Sequence, residues 1–183
     1  FLRPLGLRLE ALRAEYGLFG DMQGGEWKAK AYLYNSERGL PGAAVRETGG
    51  FVHEDRQWDT NFFLQGSFRK HWGNYSLQTN GKYAYDYLHY LSDPRLDVTT
   101  MYVNNHYRQH ELYFSAANML NILPFWSADV SVDFQWNKLN ADLVNFVYPC
   151  RYTALVAAAT ALHFDRFKLQ ASLLGTFVHE TTK

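Results

Sequence analysis

The sequence predicts an all-β protein: an antiparallel up-and-down meander of about eight long strands that forms part of a transmembrane β-barrel. Three observations lead to this fold class. One strand is unusually long and strictly amphipathic, aromatic residues concentrate at strand ends, and the connections between strands alternate between short and long.

The clearest strand runs from Trp126 to Trp136. Its even-numbered residues are apolar and its odd-numbered residues are polar or acidic, so the two kinds of side chain point to opposite faces. About ten residues at roughly 3.3 Å each extend about 33 Å, and a tilt of about 40° projects this length onto about 25 Å, the height of the apolar band on an outer-membrane barrel. We therefore expect a membrane-spanning strand with a tryptophan anchor at each interface.

Composition fits this class. The chain of 183 residues has a formal net charge of zero, 17% aromatic residues and 20% charged residues, and it carries one cysteine, Cys150. Zero net charge gives no indication of a nucleic-acid partner, and one cysteine can form neither an internal disulfide nor a thiolate metal cluster. No run approaches the roughly 20 apolar residues of a transmembrane helix, a test that barrel strands escape because half of each strand faces water.

Alternation assigns the elements in order along the chain. Strands are predicted at 6–19, 25–35, 57–71, 75–90, 106–119, 126–138, 150–163 and 167–180. The first changes phase, with apolar residues at odd positions through Leu9 and at even positions from Leu12, which predicts a β-bulge between Glu10 and Leu12. Residues 153–162 are rich in alanine and nearly apolar on both faces, so a helix is an alternative there, and the strand prediction depends on the neighbouring strands.

The connections sort by length. Those at Gly20–Gly24, Trp72–Asn74, Leu120–Phe125 and Asp165–Arg166 are short, whereas 36–56, 91–105 and 139–149 are long. Short turns on one rim and long loops on the other are typical of outer-membrane barrels. Aromatic residues lie near both rims, including Trp27, Trp72 and Trp126 by the short turns and Trp58 and Trp136 by the long loops. This arrangement indicates two aromatic girdles, although aromatic residues also favour strands in general.

Three segments carry a family resemblance: Asn35–Gly42, Trp58–Ser67 and Phe134–Leu139. They resemble the barrel of TonB-dependent outer-membrane receptors, and most closely the cobalamin-receptor-like branch of Bacteroides-type bacteria. The resemblance runs through essentially the whole chain. It implies a 22-stranded barrel with a plug domain in its lumen, located in the bacterial outer membrane, which imports a bulky, scarce nutrient when a periplasmic energiser pulls on the plug.

The resemblance also implies what the chain represents. No plug-like sequence, energiser-contact box or closing strand with a terminal aromatic is found, and the first residue is Phe1 rather than Met. We therefore expect residues 1–183 to be a single mid-barrel segment cut from a longer protein. Its implied partners are outer-membrane lipid, a nutrient such as cobalamin, a siderophore or haem, and a TonB-type energiser acting through the missing plug domain.

Catalytic and metal chemistry find no support in the sequence. His106 and His110 would face one metal on a helix, but on a strand they lie about 13 Å apart, as do Asp129 and Asp133, too far for a glycosidase pair. No Gly-x-Ser-x-Gly elbow occurs. The long segments 36–56 and 91–105 contain carboxylates, as do calcium-holding loops of related receptors, but neither matches an ordered calcium-loop motif. We predict a non-enzyme without catalytic residues, metal ligands or cofactor.

Substrate contacts are expected on the polar face near the long connections, at Asp59, Tyr90, Tyr107 and Gln109. The alternative is that these residues merely line the wall. Two other functional classes stay open: a complete eight-stranded outer-membrane barrel acting as an adhesin or structural protein, and a soluble lipocalin-like barrel that binds a ligand inside. The last class would place its apolar residues inward and its polar residues outward.

Overall fold

The computed structural model describes residues 9–41, 54–93 and 102–182, which form one sheet of eight strands. The strands are β1 (Leu9–Met22), β2 (Gly25–Pro41), β3 (Glu54–Trp72), β4 (Tyr75–Asp93), β5 (Val103–Leu123), β6 (Trp126–Ala141), β7 (Cys150–His163) and β8 (Lys168–Thr181). They lie in sequence order, and each pairs antiparallel with its neighbours. The predicted meander of eight long strands is confirmed. Within the described residues the sheet is not closed, because β1 pairs only with β2 and β8 only with β7.

Two local predictions have different outcomes. The Ala-rich segment is strand β7, paired on both sides, so the strand prediction is confirmed over the helical alternative. The predicted bulge between Glu10 and Leu12 is wrong, because β1 pairs with β2 without interruption from Leu9 to Met22. Continuous pairing places Leu9 on the same face as Arg13, and the apolar residues before Leu9 lie outside the described residues. A register shift occurs instead between Asn121 and Leu123 at the end of β5.

The connections alternate in length as expected. Short turns join β1 to β2, β3 to β4, β5 to β6 and β7 to β8, whereas the segments between the other consecutive strands, 42–53, 94–102 and 142–149, are longer. In the first turn both central residues have positive φ, 51° at Gln23 and 74° at Gly24. This geometry matches the right-handed twist of the flanking strands, which is why such turns dominate two-residue hairpins.

The register sorts the side chains into two faces. One face presents alternate residues of 12–20, 27–35, 58–68, 75–87, 110–120, 126–136, 152–162 and 169–179. None of these residues is Asp, Glu, Lys or Arg, and we call them the apolar band. The other face, which we call the polar face, carries Lys30, Asp59, Lys82, Glu111 and Asp133 among many polar side chains.

The apolar band is the more exposed face on β5 and β6, where Phe114, Val132 and Phe134 are 50%, 40% and 37% exposed and most polar-face residues between band positions are less exposed. On the edge strand β8 both faces are exposed, with 66% at Phe177 in the band and 59% at Val178 on the polar face. Among the residues described, the only buried hydrophobic side chains are Ala84 and Ala141, and both lie on the polar face. No helix long and apolar enough to cross a membrane occurs in the described ranges.

Candidate functional site

Two of the three buried polar residues of the described sheet, Ser36 and Asp59, lie on the polar face near the long connections, and the third, Ser115, lies in the middle of β5. Register places Ser36 of β2 opposite Asp59 of β3, and Arg38 opposite Gln57. Ser36 is 1% exposed and Asp59 is 8% exposed. We call these residues, with Asp55 and Tyr90, the rim cluster.

Asp59 is the centre of the rim cluster. Its carboxylate accepts hydrogen bonds from Arg38, through Nε at 3.1 Å and through Nη2. It also accepts bonds from Nε2 of Gln57 at 2.9 and 3.1 Å to its two oxygens. Charge-assisted bonds of this kind are about twice as strong as neutral ones, so they fix the orientation of all three side chains.

Two polar atoms of the rim cluster have no hydrogen-bond partner among the described residues. The Tyr90 hydroxyl donates to Oδ2 of Asp55 at 2.9 Å. The Oδ1 atom of Asp55 and the Oγ atom of Ser36 are buried and have no hydrogen-bond partner in the part of the chain that the structure describes. Buried polar atoms are nearly always hydrogen-bonded, so these two are available to a polar ligand or to water.

All four residues predicted to contact substrate lie on the polar face. Asp59 and Tyr90 come together in the rim cluster, since Tyr90 is paired with Gln57. Tyr107 lies two strands from Asp59 in the same cross-strand row, with Leu88 between them. Gln109 lies one row further from the rim and lines a cavity of about 290 Å³. The structure therefore brings Asp59 and Tyr90 together and places Tyr107 and Gln109 apart from them on β5.

The cavity beside Gln109 contains an ion pair that the sequence reasoning missed. Arg151 at the start of β7 pairs with Glu180 at the end of β8, with 2.7 Å between Nη2 and Oε2. Both residues line the cavity, together with Asn137 and Leu139. The sequence could have indicated this pair, because opposite charges lie at the facing ends of two predicted antiparallel strands.

Hydrogen bonds continue across the polar face below the rim. Asn61 donates to Asp86 at 2.6 Å, Lys82 pairs with Glu111 at 3.0 Å, and the Tyr113 hydroxyl donates to Asp133 at 3.1 Å. These cross-strand pairs make the polar face a continuous hydrogen-bonding surface. The arrangement can hold a polar solute by many weak contacts.

The two histidines that were considered as a metal pair make separate contacts. His106 Nδ1 lies 2.5 Å from Asp142 Oδ2, and His110 Nδ1 lies 2.9 Å from the Tyr83 hydroxyl. The backbone N–H of His106 also donates to Asp142 and is the main cause that lowers the pKa of this carboxyl group from its ordinary value. Among the described residues, no three His, Cys, Asp or Glu side chains form a group that could hold a metal ion.

Comparison with known proteins finds no family model and no curated protein that matches the chain.

Proposed function

We propose that this sheet is part of the wall of an outer-membrane β-barrel, and that the barrel is an energy-coupled receptor importing a bulky, scarce nutrient such as cobalamin. The observation that carries the proposal is the apolar band, which crosses all eight strands on one face without a charged residue and is the more exposed face on β5 and β6. In water this surface would be far larger than the patches that monomeric soluble proteins expose. In a bilayer the same surface contacts acyl chains, so its exposure carries no hydrophobic free-energy penalty.

Three pairs of polar side chains inside the apolar band are hydrogen-bonded to each other, as lipid favours. Trp126 Nε1 donates to Thr160 Oγ1 at 2.8 Å, and the Tyr75 hydroxyl donates to Asn118 Oδ1 at 2.5 Å. Asn35 Nδ2 donates to Thr60 Oγ1 at 2.8 Å in the same way. Each pair spans two neighbouring strands, so these polar groups need no water.

The apolar band also crosses the sheet obliquely. Tyr16 lies at the middle of the band on β1, and successive register pairs lead from it to Tyr152 and then to His179, the last band position on β8. Strands that run at an angle to a level apolar band are expected in a membrane barrel, whose strands tilt by about 35–45°.

The open edges favour a large barrel over the complete eight-stranded alternative. A closed eight-stranded barrel would pair β1 with β8, whereas within the described residues each of these strands has one neighbour. Eight strands about 4.8 Å apart make a wall about 38 Å wide, which further strands would complete into a wider barrel. A wide barrel with a plug holds a lumen that fits a bulky solute.

The lipocalin-like alternative requires the opposite burial. A soluble binding barrel buries its apolar side chains, but here Val132 and Phe177 are well exposed while Ser36 and Asp59 are buried. In the proposed barrel the polar face lines the lumen, and the rim cluster lies near the outer mouth, where a nutrient first arrives. The assignment of cobalamin comes from the family resemblance of Asn35–Gly42 and Trp58–Ser67.

Nutrient uptake tests the proposal. In cells that make the intact protein in their outer membrane, we expect saturable uptake of radiolabelled cyanocobalamin that a protonophore abolishes. Replacement of Asp59 by Ala should weaken cobalamin binding, whereas Asp21→Ala, on the same face at the short-turn rim, should leave binding unchanged. Equal uptake by cells lacking the protein contradicts the transport proposal, and uptake of haem or a ferric siderophore without cobalamin overturns the assigned nutrient.

A further inference from the structure

We propose that a cavity lined by Arg108, whose diagonal neighbour Lys138 lies outside the lining, binds the phosphate group of an anionic membrane lipid. The proposal rests on the proposed function, because a lipid headgroup lies at this level only if the apolar band is in a bilayer.

The two cations lie immediately beyond the apolar band. On β5 the band ends at His110 and on β6 at Trp136, and Arg108 and Lys138 are the next positions on the same face towards the long connections. Register pairs Arg108 with Asn140 and His110 with Lys138. Arg108 and Lys138 are therefore diagonal neighbours, about 7–8 Å apart, at the level where headgroups meet the hydrocarbon.

Neither cation forms an ion pair among the described residues. The Arg108 guanidinium lies 5.9 Å from the centroid of the Tyr87 ring, which orients it without neutralising it. Arg56, at the same rim of this face, differs because it pairs with Glu37 at 3.6 Å. Two neighbouring positive charges, neither of which is held in an ion pair, favour binding of an anion beside them.

A cavity of about 480 Å³ lies beside Arg108, within the range of about 300–1,000 Å³ that ligand pockets occupy. It is lined by His106, Arg108, Asn140, Ala141, Asp142 and Tyr148. The Asn140 amide and the Tyr148 hydroxyl add neutral donors to the arginine fork, which matches phosphate geometry. Asp142 also lines the cavity, but its carboxylate already accepts the backbone N–H and faces the ring of His106.

The segment that carries Tyr148 is held in place by the backbone. Asp142 donates its N–H to the His106 carbonyl at 3.2 Å, and Leu139 donates to the Pro149 carbonyl at 3.1 Å. The cavity is therefore a formed feature of the rim. A lipid with its phosphate here would lay its acyl chains along the band beside Phe134, which a free phosphate ion cannot do.

The test compares lipid retention by native mass spectrometry of the protein released from micelles containing equal amounts of phosphatidylglycerol and phosphatidylcholine. We expect the wild-type protein to retain phosphatidylglycerol preferentially. The double variant Arg108→Gln/Lys138→Gln should lose this preference by about fivefold for each charge removed. The matched control Lys28→Gln/Arg69→Gln removes two charges from the polar face and should keep the preference within about twofold, because those residues do not contact lipid.

Each other outcome overturns the proposal. Unchanged preference in the double variant, or an equal loss in the control, shows that this cavity does not select the lipid. Displacement of the lipid by inorganic phosphate shows a site for the free ion. Far-ultraviolet circular dichroism confirms that each variant is folded. A fluorescent label on Val132→Cys in a Cys150→Ser background, in the same micelles, reports separately whether the apolar band contacts hydrocarbon, so a failure of the membrane location is recognised as such.

Discussion

Asp59 illustrates how single residues acquire their partners in this sheet. Its place on the polar face could be predicted from alternation along 57–71, since Trp58, Thr60 and Phe62 define the opposite face. Its bond to Arg38 could not be predicted, because the pairing of β2 with β3 depends on register across a connection of unknown path. For the same reason the contact of Gln57 with Asp59, and the burial of Ser36 without a hydrogen-bond partner, could not be predicted.

The first prediction concerns this cluster. Replacing Asp59 by Ala removes the acceptor for Arg38 and Gln57, so the free energy of unfolding should fall by about 2 kcal/mol. Urea unfolding of the protein in phospholipid, followed by tryptophan fluorescence, measures the change. Asp21→Ala, at an exposed position of the same face, is the control and should change stability by less than about 0.5 kcal/mol. Equal effects of the two changes would show that the cluster is not a stabilising unit.

At the scale of the element, the alternation of β6 predicted its two faces correctly. The faces of β5 and β7 then follow from the register in which they pair with β6. Strand identity was predicted well where alternation is strict, as in β2, β3 and β6. It was uncertain for β7, whose alanines lack a pattern, and pairing on both sides decides its conformation. The bulge in β1 was wrongly predicted because side-chain phase alone cannot show whether the backbone pairs continuously.

A charge placed in the apolar band tests the faces of β6. Val132→Lys puts an ammonium group near the middle of the proposed hydrocarbon layer and should destabilise the folded protein by about 2–4 kcal/mol. Ser131→Lys, one residue away on the polar face, should cost less than about 1 kcal/mol. Unfolding in phospholipid gives both values. Similar costs for the two lysines would contradict the assignment of faces.

The turn between β1 and β2 gives a stabilising prediction. Gln23 has φ of 51°, a left-handed conformation that costs most residues about 1–2 kcal/mol and that Asn tolerates better. Gln23→Asn should therefore raise the free energy of unfolding by about 0.5–1 kcal/mol. Gly24→Ala, at φ of 74°, should lower it by about 1 kcal/mol. A loss of stability on Gln23→Asn, measured by urea unfolding, would mean that the turn has another geometry.

At the scale of the whole molecule, the sheet has no apolar core among its described residues, and many large apolar side chains of the band are exposed. A chain with this distribution of side chains needs a partner for the band, and the proposed partner is lipid. Composition could not show this, since a mean hydropathy of -0.35 is ordinary for a soluble domain. The strand pattern predicted the band, but the exposure of its side chains depends on how the eight strands pair and could be read only from the structure.

The open edges are the second property at this scale. β1 and β8 each leave one row of backbone groups unpaired within the described sheet, and such edges invite further strands. The count of eight strands and their order could be predicted from the alternating turns and loops. Closure could not be predicted, because side-chain alternation within eight strands does not show whether an edge strand has a further partner.

The most direct test of the account is the environment of two adjacent residues on β6. In a Cys150→Ser background, an environment-sensitive fluorophore is attached to Val132→Cys or to Asp133→Cys, and the protein is reconstituted in lipid vesicles. We predict that quenchers carried on the acyl chains quench the label at position 132 strongly, and that aqueous iodide quenches the label at position 133. Quenching of position 132 by iodide, with position 133 shielded from it, would contradict the proposal that the apolar band contacts lipid.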